Sequence, residues 1–318
     1  MSSRHLPQHL TDAVESIVVS RRGALRDQTS DLREAYGRAA SSSDVSVEAY
    51  LATRMPATYA AISRVFELVA EVSPGFSPRS FLDVGAGPGT ASWAALERWP
   101  GLNQIMMVER DSRFADMAKA LAARSTHPSL KNVHIARTDL EKAGSRAELV
   151  VAAYVFAEQS EALAVQLANH LWEICEGTLI IVEPGTPEGF ARIRAARVAL
   201  LARGAFMVAP CPHSSECPMS GTDWCHFKTR LQRTRLHMQA KNATVPFEDE
   251  SFSFVAVSRV AQSLPQARII APPAGNKVAT TLKLCGHGGI DVELVASRNK
   301  PAYKLSKKKS WGDSWEGQ

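Results

Sequence analysis

The chain has 318 residues, 45% of them hydrophobic, and its 37 Lys and Arg against 32 Asp and Glu leave a formal charge of +5. That is enough for two modest domains with real cores, and no apolar run is long enough to span a membrane. The opening MSSRHLPQHL lacks the apolar core of a secretory signal, so a cytoplasmic location is expected, or the mitochondrial matrix if the source is eukaryotic.

The first 73 residues read as helical. Leu6, Leu10, Val14, Ile17 and Val18 form a helical stripe, which predicts an amphipathic segment over about 8–20. A second segment is expected around 24–38, then a break at Ser41–Ser43, then a long helix from Val47 that Pro56 kinks or restarts. Its second half presents Ile62, Val65, Phe66 and Val69 on one face, and a turn-rich link from Ser73 to Pro78 follows.

Residues 81–90, FLDVGAGPGT, carry the chain's most specific signal: an apolar strand, Asp83, then Gly85, Gly87 and Gly89 before an Ala-rich helix. Glycines at a strand-to-helix turn adopt φ > 0 and let a ligand approach the backbone, while the next helix offers free N–H groups. A dinucleotide fingerprint needs Gly-x-Gly-x-x-Gly, and Thr90 stands where its third glycine would be. The spacing resembles instead the first motif of class I S-adenosylmethionine (SAM)-dependent methyltransferases. That resemblance implies that Asp83 lies beside the methionine end of the cofactor.

Strands are predicted near 80–84, 104–108, 133–136, 148–154 and 178–183, with helices near 90–98, 112–124, 160–174 and 187–203, a doubly wound α/β order. Glu109 ends the second strand, where an acid can accept both ribose hydroxyls of an adenosine. Asp139 follows the third strand, and the methyltransferase resemblance implies that it meets the adenine amino group.

From Ala209 to Asp249 hydrophobic periodicity fades at the start of the segment, and Cys211, Cys217 and Cys225 appear, so something other than a core must order it. Three further β patterns follow at 251–259, 277–286 and 289–298, the middle one ending near Cys285. Five cysteines in such a chain point to metal or catalysis rather than disulfides. Cys175, amid LWEICEGTLI, reads as a buried small hydrophobe in a helix. The other four suit a tetrathiolate site for zinc or an iron–sulfur cluster. Zinc ribbons use paired Cys-x-x-Cys hairpins, whereas here five, seven and 59 residues intervene, which leans toward a cluster. His213, His226 and His287 keep a mixed Cys/His zinc site open.

Basic residues gather in two places, Lys228, Arg230, Arg233, Arg235, His237 and Lys241, and then Lys300, Lys304, Lys307, Lys308 and Lys309 with Trp311 and Trp315. Such patches suit phosphate backbones, although charge runs are often only solvated faces.

The run CPHSSECP…WCHFKTR, followed by VPFEDESFSFVAVSR, LKLCG and KKKSWGD, together with YLATRMPATY at Tyr50–Tyr59, resembles the methyltransferase-like family of small-ribosomal-subunit assembly proteins. The resemblance spans most of the chain. It implies a Rossmann-like class I methyltransferase core, association with small-subunit rRNA and a 4Fe-4S cluster on Cys211, Cys217, Cys225 and Cys285. The expected layout is an N-terminal helical domain (1–78), a SAM-binding domain (79–205), a cysteine-rich metal-binding insertion (206–250), and C-terminal strands completing the sheet with a basic tail (251–318). A monomer without membrane contact is expected.

Catalysis is less legible. The Asn/Asp-Pro-Pro-aromatic motif of amino-methylating enzymes is replaced by AAYVFAEQ after the fourth strand, and no cysteine is free to act as a cytosine-C5 nucleophile. Tyr154 and Glu158 are the polar groups nearest the expected methyl position, where Tyr154 could orient a base by stacking or hydrogen bonding and Glu158 could accept a proton, but the plainer reading is that Tyr154 packs at a strand end and Glu158 starts a helix. Three readings stand: an rRNA methyltransferase, a non-catalytic assembly factor on the same scaffold, and a small-molecule methyltransferase with a structural zinc loop.

Overall fold

The computed structural model describes residues 5–20, 46–156 and 159–317. Helix α1 (Gln8–Ser20) follows the expected stripe, with Leu6, Leu10, Val14, Ile17 and Val18 all buried. The expected helix around 24–38, the break at Ser41–Ser43 and Glu158 lie outside the described residues.

Ser46 opens the next helical run by accepting the Ala49 N–H on its hydroxyl. A first turn, α2 (Val47–Ala49), widens into a π-helical turn over Tyr50–Arg54 and continues as α3 (Met55–Val72). The disturbance expected from Pro56 takes this form. Proline has no N–H to donate and its ring presses on the preceding turn, and just before it the Met55 N–H reaches back to the Tyr50 carbonyl, five residues away. Farther along, α3 buries Ile62, Val65, Phe66 and Val69, each contributing roughly 1.5–3 kcal/mol.

The central sheet has eight strands: β1 (Ser80–Val84), β2 (Gln104–Val108), β3 (His134–Ala136), β4 (Ala147–Ala153), β5 (Cys175–Pro184), β6 (Phe206–Ala209), β7 (Phe227–Gln232) and β8 (Phe247–Ser258). Its order is β3-β2-β1-β4-β5-β8-β6, parallel through β5, with β8 antiparallel between β5 and β6. This is the Rossmann-like class I methyltransferase arrangement with one reversed strand near an edge. The helices α4 (Thr90–Arg98), α5 (Ser112–Ala122), α6 (Pro128–Lys131), α7 (Glu161–Ile174) and α8 (Pro187–Ala202) alternate with the parallel strands. One face packs on α1, α3, α4 and α5 and the other on α7 and α8, so β1 and β4 are apolar on both sides.

Strand β8 is long enough to carry two partners in line on its outer edge. Ala256–Ser258 pair with β6, and Phe247–Phe252 pair with β7. The segment holding Cys211, Cys217 and Cys225 therefore leaves this edge after β6 and returns to the same edge as β7. A short helix, α9 (Arg235–Ala240), links β7 to β8.

Two expectations are corrected. Cys175 is buried, but it opens β5 rather than sitting in a helix, because α7 ends at Ile174. Of the C-terminal strands, only β8 completes the central sheet. The remainder, β9 (Ala267–Ile269), β10 (Ala274–Gly275), β11 (Ala279–Gly286), β12 (Gly289–Ala296) and β13 (Ser314–Trp315), form a second, five-stranded sheet. Its own small core of Ile269, Leu282, Leu284, Val295 and Trp315 explains the separation. Cys285 lies in β11 and so belongs to this second sheet, not to the central one. The final helix, α10 (Lys300–Ser306), packs beside β12.

Candidate functional site

The glycine turn joins the carboxyl end of β1 to α4. Gly85, Gly87 and Gly89 have φ of 68°, 54° and 85°, a left-handed region that side chains disfavour. Their surroundings differ. A Cβ at Gly85 would lie 2.1 Å from Val155 Cγ1 and one at Gly89 2.7 Å from Met107 Cε, whereas at Gly87 the nearest atom is the Tyr50 hydroxyl, 3.9 Å away. Gly85 and Gly89 are thus needed for packing, and Gly87 borders open space, the cradle a cofactor requires.

Glu109, just past β2, brackets that space. Its Oε2 accepts the Gly87 N–H at 2.8 Å and its Oε1 accepts the Asp111 N–H at 2.8 Å. Burial pushes its carboxyl up, against the pull of these two amides. Asp83 is buried and accepts both the N–H and the hydroxyl of Ser92, at 3.0 and 2.7 Å, which ties the end of β1 to the first turn of α4. Burial, with a smaller push from the nearby Glu109 charge, raises it to about 7. Asp139 lies after β3, exposed, at the head of a 3₁₀ turn, with Lys142 Nζ 3.4 Å away. Gly87, Asp83 and Glu109 are therefore brought together, and Asp139 stands apart on the loop of the neighbouring strand.

Of the groups around this edge, the sequence pointed to Tyr154 and, only as part of a motif, to Tyr50, but not to the partners Arg54, Glu183 and Glu250. Tyr50, from the π turn, is half-buried, with the charges of Arg54, Glu109 and Asp83 all acting on its phenol. Tyr154, which follows β4, has φ 61° and donates its hydroxyl to Glu250 Oε1 of β8 at 3.3 Å. Arg54 Nη2 donates to the same oxygen at 3.0 Å. Glu183, at the carboxyl end of β5, is fully buried, accepts the Phe156 N–H at 2.9 Å, faces Arg192 at 3.4 Å, and is raised by burial to about 7. The legible signal for Tyr50 and Arg54 was the segment YLATR itself, but only the π turn aims it at the glycines.

The four loop cysteines converge. Cys211, Cys217, Cys225 and Cys285 line one cavity together with Arg197, Phe190 and Met219. Cys225 is pushed well up by burial first and then by the neighbouring Cys211, Cys217 and Cys285, so all four sulfurs share one field. Cys285 is raised to about 12 by burial, and its Sγ lies 3.6 Å from His213 Nε2. Among the described residues, the buried His213 Nδ1 has no hydrogen-bond partner. His226 is packed between Trp224 and Trp311, and its Nδ1 lies 3.3 Å from the Trp224 carbonyl. A set of four soft thiols and no carboxylate fits a thiophilic metal group. Among the described residues, no three His, Cys, Asp or Glu side chains are gathered tightly enough to hold a single ion.

The first basic patch is largely neutralised by the fold. Arg230 forms a two-pronged pair with Asp249, and Arg233, His237 and Lys241 all converge on Glu248, which is held well below the usual carboxylate range by these partners. His237 has no exposed surface. This corrects the reading of that cluster as an open phosphate-binding face, although Lys228 and Arg235 remain exposed. In the tail, Lys300, Lys304, Lys307 and Lys308 are exposed, while Trp311 and Trp315 are buried.

Comparison with known proteins agrees with the resemblance drawn from the motifs. Human METTL17, named as a mitochondrial ribosome assembly protein, is 26% identical over 283 residues, covering 83% of this chain and 61% of its own length. The Rsm22-cox11 tandem protein 2, mitochondrial, of Schizosaccharomyces pombe is 27% identical over 331 residues, covering 85% of this chain and 43% of its own. The chain thus spans less than two thirds of these relatives. Similar solved structures include magnesium protoporphyrin IX methyltransferase of Synechocystis PCC 6803 with bound SAM, at 13% identity, TM-score 0.44 and coverage of 64% of this chain and 80% of that one. A SAM-dependent methyltransferase of Leishmania major gives 14%, 0.41, 63% and 72%. The family described as mitochondrial small ribosomal subunit Rsm22 matches residues 44–316, through the glycine turn and all four loop cysteines, and the chain belongs to that family.

Proposed function

We propose that this chain is a SAM-binding assembly protein of the small ribosomal subunit, that its cysteine cavity carries a 4Fe-4S cluster, and that methyl transfer to rRNA is the reaction its fold supports. The observation that carries the cofactor reading is the open face of Gly87, bounded by Glu109 and Tyr50. In this reading Glu109 exchanges its bond to the Gly87 amide for the ribose hydroxyls, Asp83 holds α4 against the methionine end, and Asp139, on the neighbouring loop, moves in to meet the adenine. When bound, SAM supplies an electrophilic methyl group, and the protein's contribution is proximity and alignment. The ribosomal part of the reading draws on family membership and on the name of the human relative. In a eukaryote the expected location is the mitochondrial matrix, in line with the mitochondrial relatives.

Four thiols spread around one cavity suit a cluster, which offers one iron corner to each thiolate. Zinc would draw all four sulfurs to roughly 3.8 Å of one another, given Zn–S bonds of about 2.3 Å, and remains the alternative occupant.

A second reading, an assembly factor without turnover, is favoured by one feature. Where amino-methylating enzymes hold a target amine, this chain places Tyr154 with its hydroxyl committed to Glu250. Transfer of radiolabelled methyl from SAM to immature small subunits, with protein purified without oxygen, separates the two. Label on the rRNA supports the enzyme, and unlabelled rRNA with salt-sensitive binding to the subunit supports the factor.

A further inference from the structure

Two arginines beside the cysteine cavity are buried, and among the described residues only Arg268 has a carboxylate within ion-pair distance. Arg197, on α8, is 4% exposed, and Arg268, on β9, is 1% exposed. The Arg197 Nη2 donates to the carbonyls of His213 and Ser215, at 3.0 and 2.7 Å, both in the turn between Cys211 and Cys217. Arg268 Nε donates at 2.9 Å to the carbonyl of Pro210, the residue before Cys211, and its Nη1 donates to the Gly312 carbonyl at 3.1 Å. In the strand register Arg268 stands opposite Cys285. The nearest carboxylate to Arg268 is that of Glu71, 3.7 Å away and 41% exposed. Among the described residues, Arg197 Nε and Arg268 Nη2 are both buried with no hydrogen-bond partner.

A guanidinium taken out of water carries a penalty of several kcal/mol that carbonyl dipoles offset only in part. Both charges act on Cys211, Arg197 by field and side-chain contact and Arg268 by field. A 4Fe-4S core in its usual oxidised state with four thiolates is a dianion, as is zinc with four thiolates. Buried monocations beside such a group offset its charge, Arg197 in full and Arg268 in part, since Arg268 also faces Glu71.

We propose that Arg197 and Arg268 are the counter-charges of the cysteine-held metal group, and that Arg197 is also the positioning residue that fixes the turn between Cys211 and Cys217. The inference rests on the reading of the cavity as a metal site. Charge and hydrogen bonding near the sulfurs set a cluster's reduction potential, and removing a nearby cation disfavours the state that gains an electron.

The test uses the full chain purified without oxygen. Iron and acid-labile sulfide are measured first in the unaltered protein. Absence of both, and of zinc, would sink the metal-site reading itself. With a cluster present, dithionite titration is expected to show Arg197→Gln and Arg268→Gln each about tenfold harder to reduce, 59 mV for one electron. Arg197→Lys, which keeps the charge, is expected to hold the potential while losing metal faster, because a flexible ammonium fixes the turn less rigidly than the pre-organised guanidinium Nη2 that now serves both carbonyls. Unchanged potentials in both Gln variants at full iron content would overturn the proposal. Zinc in place of iron would refute the cluster, and the counter-charges would then be read from zinc loss to a chelator, expected at least tenfold faster in Arg197→Gln and contradicted by equal rates. If Arg197→Gln does not fold, Arg268→Gln and Arg197→Lys carry the same test.

Discussion

Glu109 accepts the backbone N–H of Gly87 at 2.8 Å, so the acid that ends β2 closes over the turn that leaves β1. One carboxylate thereby couples the two elements that would meet the ribose and the methionine end of a bound SAM. Glu109→Gln keeps the size and can still accept the Gly87 N–H on its amide oxygen, but its NH2 then faces the Asp111 N–H and the charge-assisted bonds to ribose are lost. SAM affinity is expected to fall roughly tenfold, about 1.4 kcal/mol, with a stability loss of about 1 kcal/mol from the unmet amide. Isothermal titration with SAM checks this, and full affinity in the variant would remove Glu109 from the site.

Asp83 and Glu183 are both raised to about 7 by burial, from ordinary values near 4. A raised folded-state value means that the folded protein holds protons the unfolded chain has released. The stability each contributes is complete below its unfolded value and is lost as pH rises to about 7. Denaturant unfolding is therefore expected to show lower stability at pH 7.5 than at pH 5, by on the order of a few kcal/mol at most. Asp83→Asn should flatten that slope, and an identical slope in the variant would contradict the assignment.

Glu248 has the opposite sign. Its partners Arg233, His237 and Lys241 hold its carboxyl well below the usual range, so its contribution is present above its unfolded value and lost as pH falls toward and below it. Glu248→Gln leaves His237 and the two cations without their shared anion. A loss of roughly 2 kcal/mol is expected at pH 7, below the buried-pair magnitude because the Glu248 side chain is still 19% exposed. Equilibrium unfolding in urea measures it, and a change under about 0.5 kcal/mol would show that the cluster is a solvated face after all.

Cys217→Ser removes one of the four thiols that line the cysteine cavity. Iron content is expected to fall by more than half, while the far-ultraviolet circular dichroism of the central sheet and its helices is retained, because Cys217 lies in the segment between β6 and β7 and in neither strand. Cys175→Ser, at the buried start of β5, should leave iron unchanged. Equal iron loss in both variants would mean that the cavity is not the metal site.

Much of the central sheet was legible because its elements are local. An apolar strand, a glycine turn and an Ala-rich helix repeat with the right periods, and helix α4 falls where its pattern put it, over Thr90–Arg98. That Cys211, Cys217, Cys225 and Cys285 belong together was legible from the count of thiols and from the family resemblance, but their geometry was not, since Cys285 arrives from a second sheet whose strands pair at long range. Those same β patterns gave no hint that Ile269, Leu284 and Trp315 would form a separate core. The basic cluster misled for a related reason. Lys241 is close to Glu248 in sequence, but the register of β7 on β8 is what sets Arg230 against Asp249. The placement of Tyr50 and Arg54 at the site was not legible because a π turn breaks the helical period that sequence reading follows.

The most direct test of the cofactor site is equilibrium binding of radiolabelled SAM to the unaltered chain and to Gly87→Arg. Gly87 borders open space at φ 54°, so arginine there fills the cradle and adds about 1–2 kcal/mol of backbone strain without touching the cysteine cavity. Saturable one-to-one binding that is abolished in the variant, with iron content unchanged, is the expected result. No binding by the unaltered chain, or equal binding by both proteins, would contradict the glycine turn as a SAM site.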